Sequence, residues 1–316
     1  MFVPIIKMLR HWFHILFVAL FVPLAGCFTG VENTGHVTER DVKRAIAEAS
    51  KRESTTTLAV YRDSVPAWRQ GKQFFVCDDQ VRLLFAYSPT YDIDSIHLAG
   101  KVLLYDGYET GSLLDNRSTV NLRFTDGAHS FLYRTEKTID EFSSTFSIPM
   151  LIDMDEVRHA ASQLVGKEFY VKTPIWYSPL SNQMSNGRQF VKVRIDSVTP
   201  GNKVFPLKVL FTALDRNERA YLWVSTGRNA IQGRDFDALF TQRDVRQKYS
   251  NVSDENWQRI INGRVAVGMT KEECRLAKGA PKSISEIPDQ RGMREYWLYD
   301  GGSYLFFVDG LLSESR

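Results

Sequence analysis

Cysteine is scarce in this chain of 316 residues: only Cys27, Cys77 and Cys274. That excludes a disulfide-dense scaffold and any four-cysteine zinc site. An excess of one charge is missing too, since 40 basic residues face 37 acidic ones for a net +3. Such a balance argues against a nucleic-acid partner. Beyond residue 26 no apolar run is long enough to span a bilayer. Catalytic signatures are absent as well. His36, His97, His129 and His159 stand without ligand-spaced neighbours, and no Gly-x-Ser-x-Gly elbow or phosphate-cradling Gly-Lys-Ser/Thr loop occurs. Cys77 precedes Asp78 and Asp79, which raise a thiol pKa and so oppose nucleophilic use. Asp153, Glu156 and His159 fall on one helical face and read as a solvated face. The sequence thus assigns no catalytic, cofactor-binding or metal-ligating residue. What remains is a foldable composition, 43% hydrophobic and 24% charged.

The N-terminus reads as an address. Lys7 and Arg10 precede an apolar run from Trp12 to Pro23, and residues 1–26 hold no Asp or Glu. A basic start, a short apolar run and small residues at its end are the grammar of a secretory signal. Leu24-Ala25-Gly26-Cys27 resembles a bacterial lipobox. The resemblance implies cleavage before Cys27 and acylation of that residue, and two or three acyl chains anchor stably where one does not. Cleavage would lower the net charge to +1. Phe28, where some lipoproteins carry an inner-membrane retention Asp, favours the outer membrane, with the body facing the periplasm. Cys77 and Cys274 then read as two buried, unbridged thiols.

Two stretches of the middle resemble each other in order. Gly71-Lys72-Gln73-Phe74-Phe75-Val76 returns as Gly166-Lys167-Glu168-Phe169-Tyr170-Val171, and Tyr87-Ser88-Pro89 as Tyr177-Ser178-Pro179. Lys101-Val102 with Asp106 matches Lys192-Val193 with Asp196. Val120, Leu122, Phe124 and Thr125 match Leu207, Val209, Phe211 and Thr212, and Phe131-Leu132-Tyr133 matches Tyr221-Leu222-Trp223. Helical character over 56–70 and 153–165 precedes each Gly-Lys pair. Strand-like runs come next, at 73–77, 81–87, 101–105, 119–125 and 130–134 in the first copy. The spacing predicts two tandem small β-barrels of Src-homology-3-like form. Tyr87, Tyr91, Tyr105, Tyr108, Trp176 and Tyr177 read either as core or as lining of a glycan or peptide groove.

The C-terminal text changes at Trp257. Gly268-Met269-Thr270 opens a helix, with Thr270 as N-cap and Glu273 completing a capping box. Gly279 and Pro281 close it, and Trp297 and Tyr299 lie in an aromatic strand. This order of Gly-Met-Thr, Gly-x-Pro and Trp-x-Tyr resembles the SmpA/OmlA (BamE-like) family of outer-membrane lipoproteins. The resemblance implies two helices on three antiparallel strands, used as a protein-binding or scaffold module.

The expected organisation is therefore a signal peptide over 1–26, a tether and helix over 27–54, barrels over 55–148 and 149–227, a linker over 228–252 and the SmpA/OmlA-like unit over 253–316. The expected function is that of a membrane-anchored envelope lipoprotein that binds envelope proteins or cell-wall components without catalysis. A glycan- or peptide-binding lipoprotein and a hydrolase with a dispersed site are the alternatives.

Overall fold

The computed structural model describes residues 57–59, 61, 63–112, 118–144, 146–226, 231, 233–289 and 292–316. The expected signal peptide, Cys27, the tether and the helix from Thr38 lie outside the described residues.

Among the described residues three antiparallel sheets succeed one another. The first comprises β1 (Gln73–Val76), β2 (Val102–Ser112), β3 (Ser118–Thr125), β4 (Ser130–Arg134) and β5 (Leu151–Asp153), in the order β4-β3-β2-β1-β5. Alternation places Phe74 and Val76 of β1 and Val120, Leu122 and Phe124 of β3 in the core. Phe74 and Phe124 meet edge to face with centroids 5.5 Å apart.

The second sheet comprises β6 (Glu168–Val171), β7 (Ile175–Tyr177), β8 (Met184–Asn186), β9 (Lys192–Pro200), β10 (Leu207–Ala213), β11 (Glu218–Val224) and β12 (Phe240–Thr241). Its order is β12-β6-β9-β10-β11-β7-β8. Helix α1 (Met154–Leu164) leads into it and buries Val157, Ala160 and Leu164. Two one-turn helices flank β12, α2 (Phe236–Leu239) and α3 (Val245–Lys248). Phe236, Leu239 and Phe240 are core residues.

Each of these sheets contains a four-strand meander, β1-β2-β3-β4 and β6-β9-β10-β11, with an extra strand on the outer edge of its first strand. Each meander has a bulge between its second and third strands, where Asp106 and Asp196 lie. Register places Phe124 opposite Tyr105 and Phe211 opposite Ile195, so those matched residues occupy the same site. The match of Lys101-Val102 to Lys192-Val193 slips by one, because Phe74 pairs with Leu103 and Phe169 with Val193. Leu103 and Val193 are the fully buried pair, and a one-residue slip would exchange the faces.

Three expectations are corrected. Neither sheet closes into a barrel; both keep free edges. The segment that would have closed the first, 81–87, is mostly a 3-10 helix (Asp79–Leu84) with Asp78 at its N-cap. It touches β4 only through a bridge between Phe85 and Tyr133. Of the expected helix over 56–70, the described residues form only a 3-10 turn at Val65–Ala67, with Pro66 at its start. The C-terminal sheet has four strands, one more than expected: β13 (Ser283–Asp289), β14 (Gly292–Leu298), β15 (Tyr304–Val308) and β16 (Leu311–Ser315). The unexpected β13 is an edge strand, where Pro288 is tolerated.

Helices α4 (Asp254–Ile261) and α5 (Lys271–Lys278) pack beside that sheet. One hydrophobic core runs from Phe169 and Trp176 of the second sheet to Trp257, Cys274, Trp297 and Phe307. Residues Glu53–Arg316 form a single compact unit. No helix among the described residues is long and apolar enough to cross a membrane.

Candidate functional site

The densest polar cluster centres on Lys72, at the entry to β1. Gly71, at φ +87°, turns the chain into β1 just before Lys72. The Lys72 side chain is only 4% exposed. Its Nζ lies 3.0 Å from Asp63 Oδ2, 2.8 Å from Asp153 Oδ2 and 2.6 Å from Asp155 Oδ2. An ammonium has three N–H donors, and here each has a carboxylate. The rings of Tyr61, Trp68 and Phe74 surround it, with centroids 5.4, 5.8 and 5.7 Å away.

Titration behaviour reflects this geometry. Burial opposes the Lys72 charge, but the carboxylates overcome it and hold its pKa well above the ordinary lysine value. Such a lysine stays charged at neutral pH and cannot act as a nucleophile. Asp155 is lowered: burial raises it, while Lys72 and Arg158 pull it down more strongly. Asp153 is raised, because burial outweighs its hydrogen bond to Lys72. Glu156, in the first turn of α1, is also raised by burial, and Thr226 gives it one hydrogen bond.

A cleft of about 360 Å³ opens beside this cluster. Tyr61, Trp68 and Phe146 form its apolar side, and Glu156, Lys203 and Ser225 its polar side. Its lining therefore comes from both meanders. Trp68 Nε1 is buried and finds no hydrogen-bond partner among the described residues. Met150, at φ +65°, lines the same cleft. Its carbonyl accepts from Cys77 N at 3.0 Å and from Cys77 Sγ at 3.3 Å. Backbone in that region concentrates at sites where something else depends on it. Burial pushes the Cys77 thiol up.

The aromatic candidates disperse. Tyr105 and Trp176 are core residues. Tyr91 packs on His129 and Phe131. Tyr87 is 86% exposed and Tyr108 half-exposed. Tyr177 stacks on Tyr221 at the edge of the second sheet. They share no groove.

The C-terminal motif residues act on the fold. Gly268 N donates to Leu312 O at 2.8 Å, and Met269 is buried. Thr270 Oγ1 accepts from Glu273 N at 3.2 Å while Thr270 N donates to Glu273 Oε2 at 2.7 Å, the reciprocal capping box. Gly279 ends α5 at φ +82°, two residues before Pro281, and Tyr299 Oη donates to its carbonyl. Trp297 Nε1 donates to Glu295 Oε2 at 3.0 Å, and Lys271 pairs with the same carboxylate. Cys77 and Cys274 are both free, and burial pushes Cys274 up to about 12.

Sequence reasoning missed the Lys72 cluster and misplaced Glu156, which faces the cleft. A signal existed in the tight acid run Asp153, Asp155, Glu156 and in the aromatics Tyr61 and Trp68 just before Lys72. Among the described residues no group of three His, Cys, Asp or Glu could hold a metal ion. Comparison with family models, curated proteins and solved structures finds no match.

Proposed function

We propose that this chain is a lipid-anchored lipoprotein of the outer membrane, held at Cys27 and facing the periplasm. Its body serves as a non-enzymatic binding or scaffold module for envelope proteins or cell-wall components. The address is supported by Leu24-Ala25-Gly26-Cys27, and the envelope role by the SmpA/OmlA-like motif around Gly268. The scaffold reading rests on one observation: the C-terminal unit is bolted to the second meander. The buried Gln189 amide donates to Ile260 O at 2.9 Å, Leu276 O at 2.8 Å and Ala277 O at 3.0 Å, so one side chain holds the ends of both C-terminal helices. Such a tie between the C-terminal unit and the second sheet suits a scaffold. Asp63, Asp153 and Asp155 are turned onto Lys72. Metabolic labelling with an azido-fatty acid tests the anchor; label that persists in Cys27→Ala refutes it. Crosslinking in cells followed by capture tests the partner class, and recovery of no envelope protein or glycan counts against it.

The cleft favours a second reading, a glycan or peptide ligand. It sets the aromatic residues Tyr61, Trp68 and Phe146 beside the polar Glu156, Lys203 and Ser225. Titration of tryptophan fluorescence with cell-wall fragments tests this. A response lost in Trp68→Phe supports it, and a flat response sinks it.

A further inference from the structure

We infer that the cleft beside Lys72 takes a peptide through a primary ammonium group, which the Glu156 carboxylate receives. This rests on the reading of the cleft as a ligand site and names the chemistry of the ligand.

Three acids, Asp63, Asp153 and Glu156, line the cleft with one base, Lys203. Two of the acids are already engaged. Asp63 and Asp153 each turn Oδ2 onto Lys72 Nζ, at 3.0 and 2.8 Å. Each turns Oδ1 onto a backbone N–H, of Ser64 and of Asp155, both at 2.8 Å. Lys203 is engaged too, with Asp78 at 3.3 Å. Glu156 differs. It makes no salt bridge among the described residues, and Thr226, also in the lining, supplies its one hydrogen bond. Burial already works against its charge. A carboxylate held in a cleft without a cation is where a cationic guest gains most.

The walls suit the same guest. Tyr61, Trp68 and Phe74 line the cleft and already surround one ammonium, that of Lys72, at 5.4, 5.8 and 5.7 Å. Rings beside a carboxylate favour an ammonium twice, by the ring face and by a charge-assisted hydrogen bond. A neutral glycan would use the rings and leave Glu156 without a counter-charge. The volume of about 360 Å³ seats more than a lone ion. The hydroxyls of Ser144, Ser147 and Ser225 in the lining suit the amide groups of a peptide.

Calorimetric titration of the full chain in detergent tests this with three probes. They are an end-blocked tripeptide with a central lysine, the same peptide acetylated on the lysine Nε, and chitotetraose. Expected is binding of the lysine peptide, and about tenfold weaker binding once its ammonium is acetylated, the worth of one charge-assisted hydrogen bond. That comparison on the wild type needs no variant. In Glu156→Gln, with its fold verified by near-ultraviolet circular dichroism, the two peptides should bind alike. Equal affinity of the two peptides for the wild type, or a preference that persists in Glu156→Gln, overturns the inference. Binding of chitotetraose and of neither peptide also overturns it, while leaving the cleft a ligand site. No heat with any probe sinks both the ammonium and the ligand cleft.

Discussion

Lys72 and Lys167 occupy the same place in the two meanders and meet opposite fates. Each comes directly after a glycine at positive φ, Gly71 and Gly166. Each lysine N donates to the residue three before it, Arg69 O and Leu164 O, both at 3.1 Å. Each lysine carbonyl accepts from the second strand, from Tyr105 N at 2.8 Å and from Ile195 N at 3.0 Å. Yet Lys72 is buried among three aspartates and Lys167 is exposed. The difference lies in the residues just beyond the outer edge strand. In the first meander β5 ends with Asp153 opposite Phe74, and Asp155 is two residues on. In the second, β12 ends at Thr241 opposite Tyr170, and the next residue is Gln242. Asp153 and Asp244 each cap the next helix in the same way, accepting from Asp155 N at 2.8 Å and Arg246 N at 2.9 Å. A shared backbone thus sets the strands, and the unshared segment decides which lysine is enclosed.

The largest break in this comparison should come from removing the enclosed charge. Lys72→Met leaves three carboxylates around a buried site with no cation, a loss of about 3–5 kcal/mol. Lys167→Met, on an exposed side chain, should stay within about 0.5 kcal/mol. Urea denaturation of both variants measures the contrast. Equal midpoints would mean that the Lys72 cluster contributes nothing to stability.

Gln189 marks a second divergence. It precedes Phe190, whose N–H donates to Val171 O as Gly100 N–H does to Val76 O, so its counterpart is Ala99. Only the second meander carries a further unit at this point. Gln189→Ala removes the hydrogen bonds to Ile260, Leu276 and Ala277, at a cost of about 2–3 kcal/mol. Amide exchange should accelerate in α4 and α5 before it does in β9 and β10. Uniform acceleration across the chain would show that the amide is no local bolt.

Alkali should sharpen the same contrast. Lys72 is raised above its ordinary value near 10.5, so its contribution is fully present below that pH and is lost as pH rises towards the folded value. Burial pushes Tyr105 up to about 12, and its neutral phenol favours the fold in the same direction. Between pH 10.5 and 12 the wild type should lose about 1.4 kcal/mol per pH unit more than Lys72→Met, the slope of one proton. Identical slopes would dissociate Lys72 from alkaline unfolding.

Local signals served well where physics is local. The capping box at Thr270 and Glu273 and the amphipathic face of α1 follow from residue spacing and stand in the structure. The inward Phe124 and Phe211 follow from alternation. Closure does not follow from any such signal. Whether 81–87 extends as a strand or coils depends on Asp78 capping the turn, and its apolar content suits both outcomes. The Lys72 cluster was hidden for a related reason. Its carboxylates come from Asp63, nine residues before Lys72, and from Asp153 and Asp155, some eighty residues after it. Only the antiparallel pairing of β5 with β1 brings them together.

The smallest expected effect tests the shared backbone itself. A Cβ added at Gly71 or at Gly166 meets nothing within 4 Å, so packing contributes no cost at either position. What remains is the left-handed region, φ +87° at Gly71 and +80° at Gly166, which costs an alanine about 1–2 kcal/mol. Gly71→Ala and Gly166→Ala should therefore lower the urea midpoint by the same amount, although one glycine adjoins a buried ion cluster and the other an exposed lysine. A larger loss for Gly71→Ala would show that its turn also aims Lys72 at the aspartates. Equal losses, set beside unequal losses for the two lysines, would place the whole divergence in side chains supplied from outside the meander.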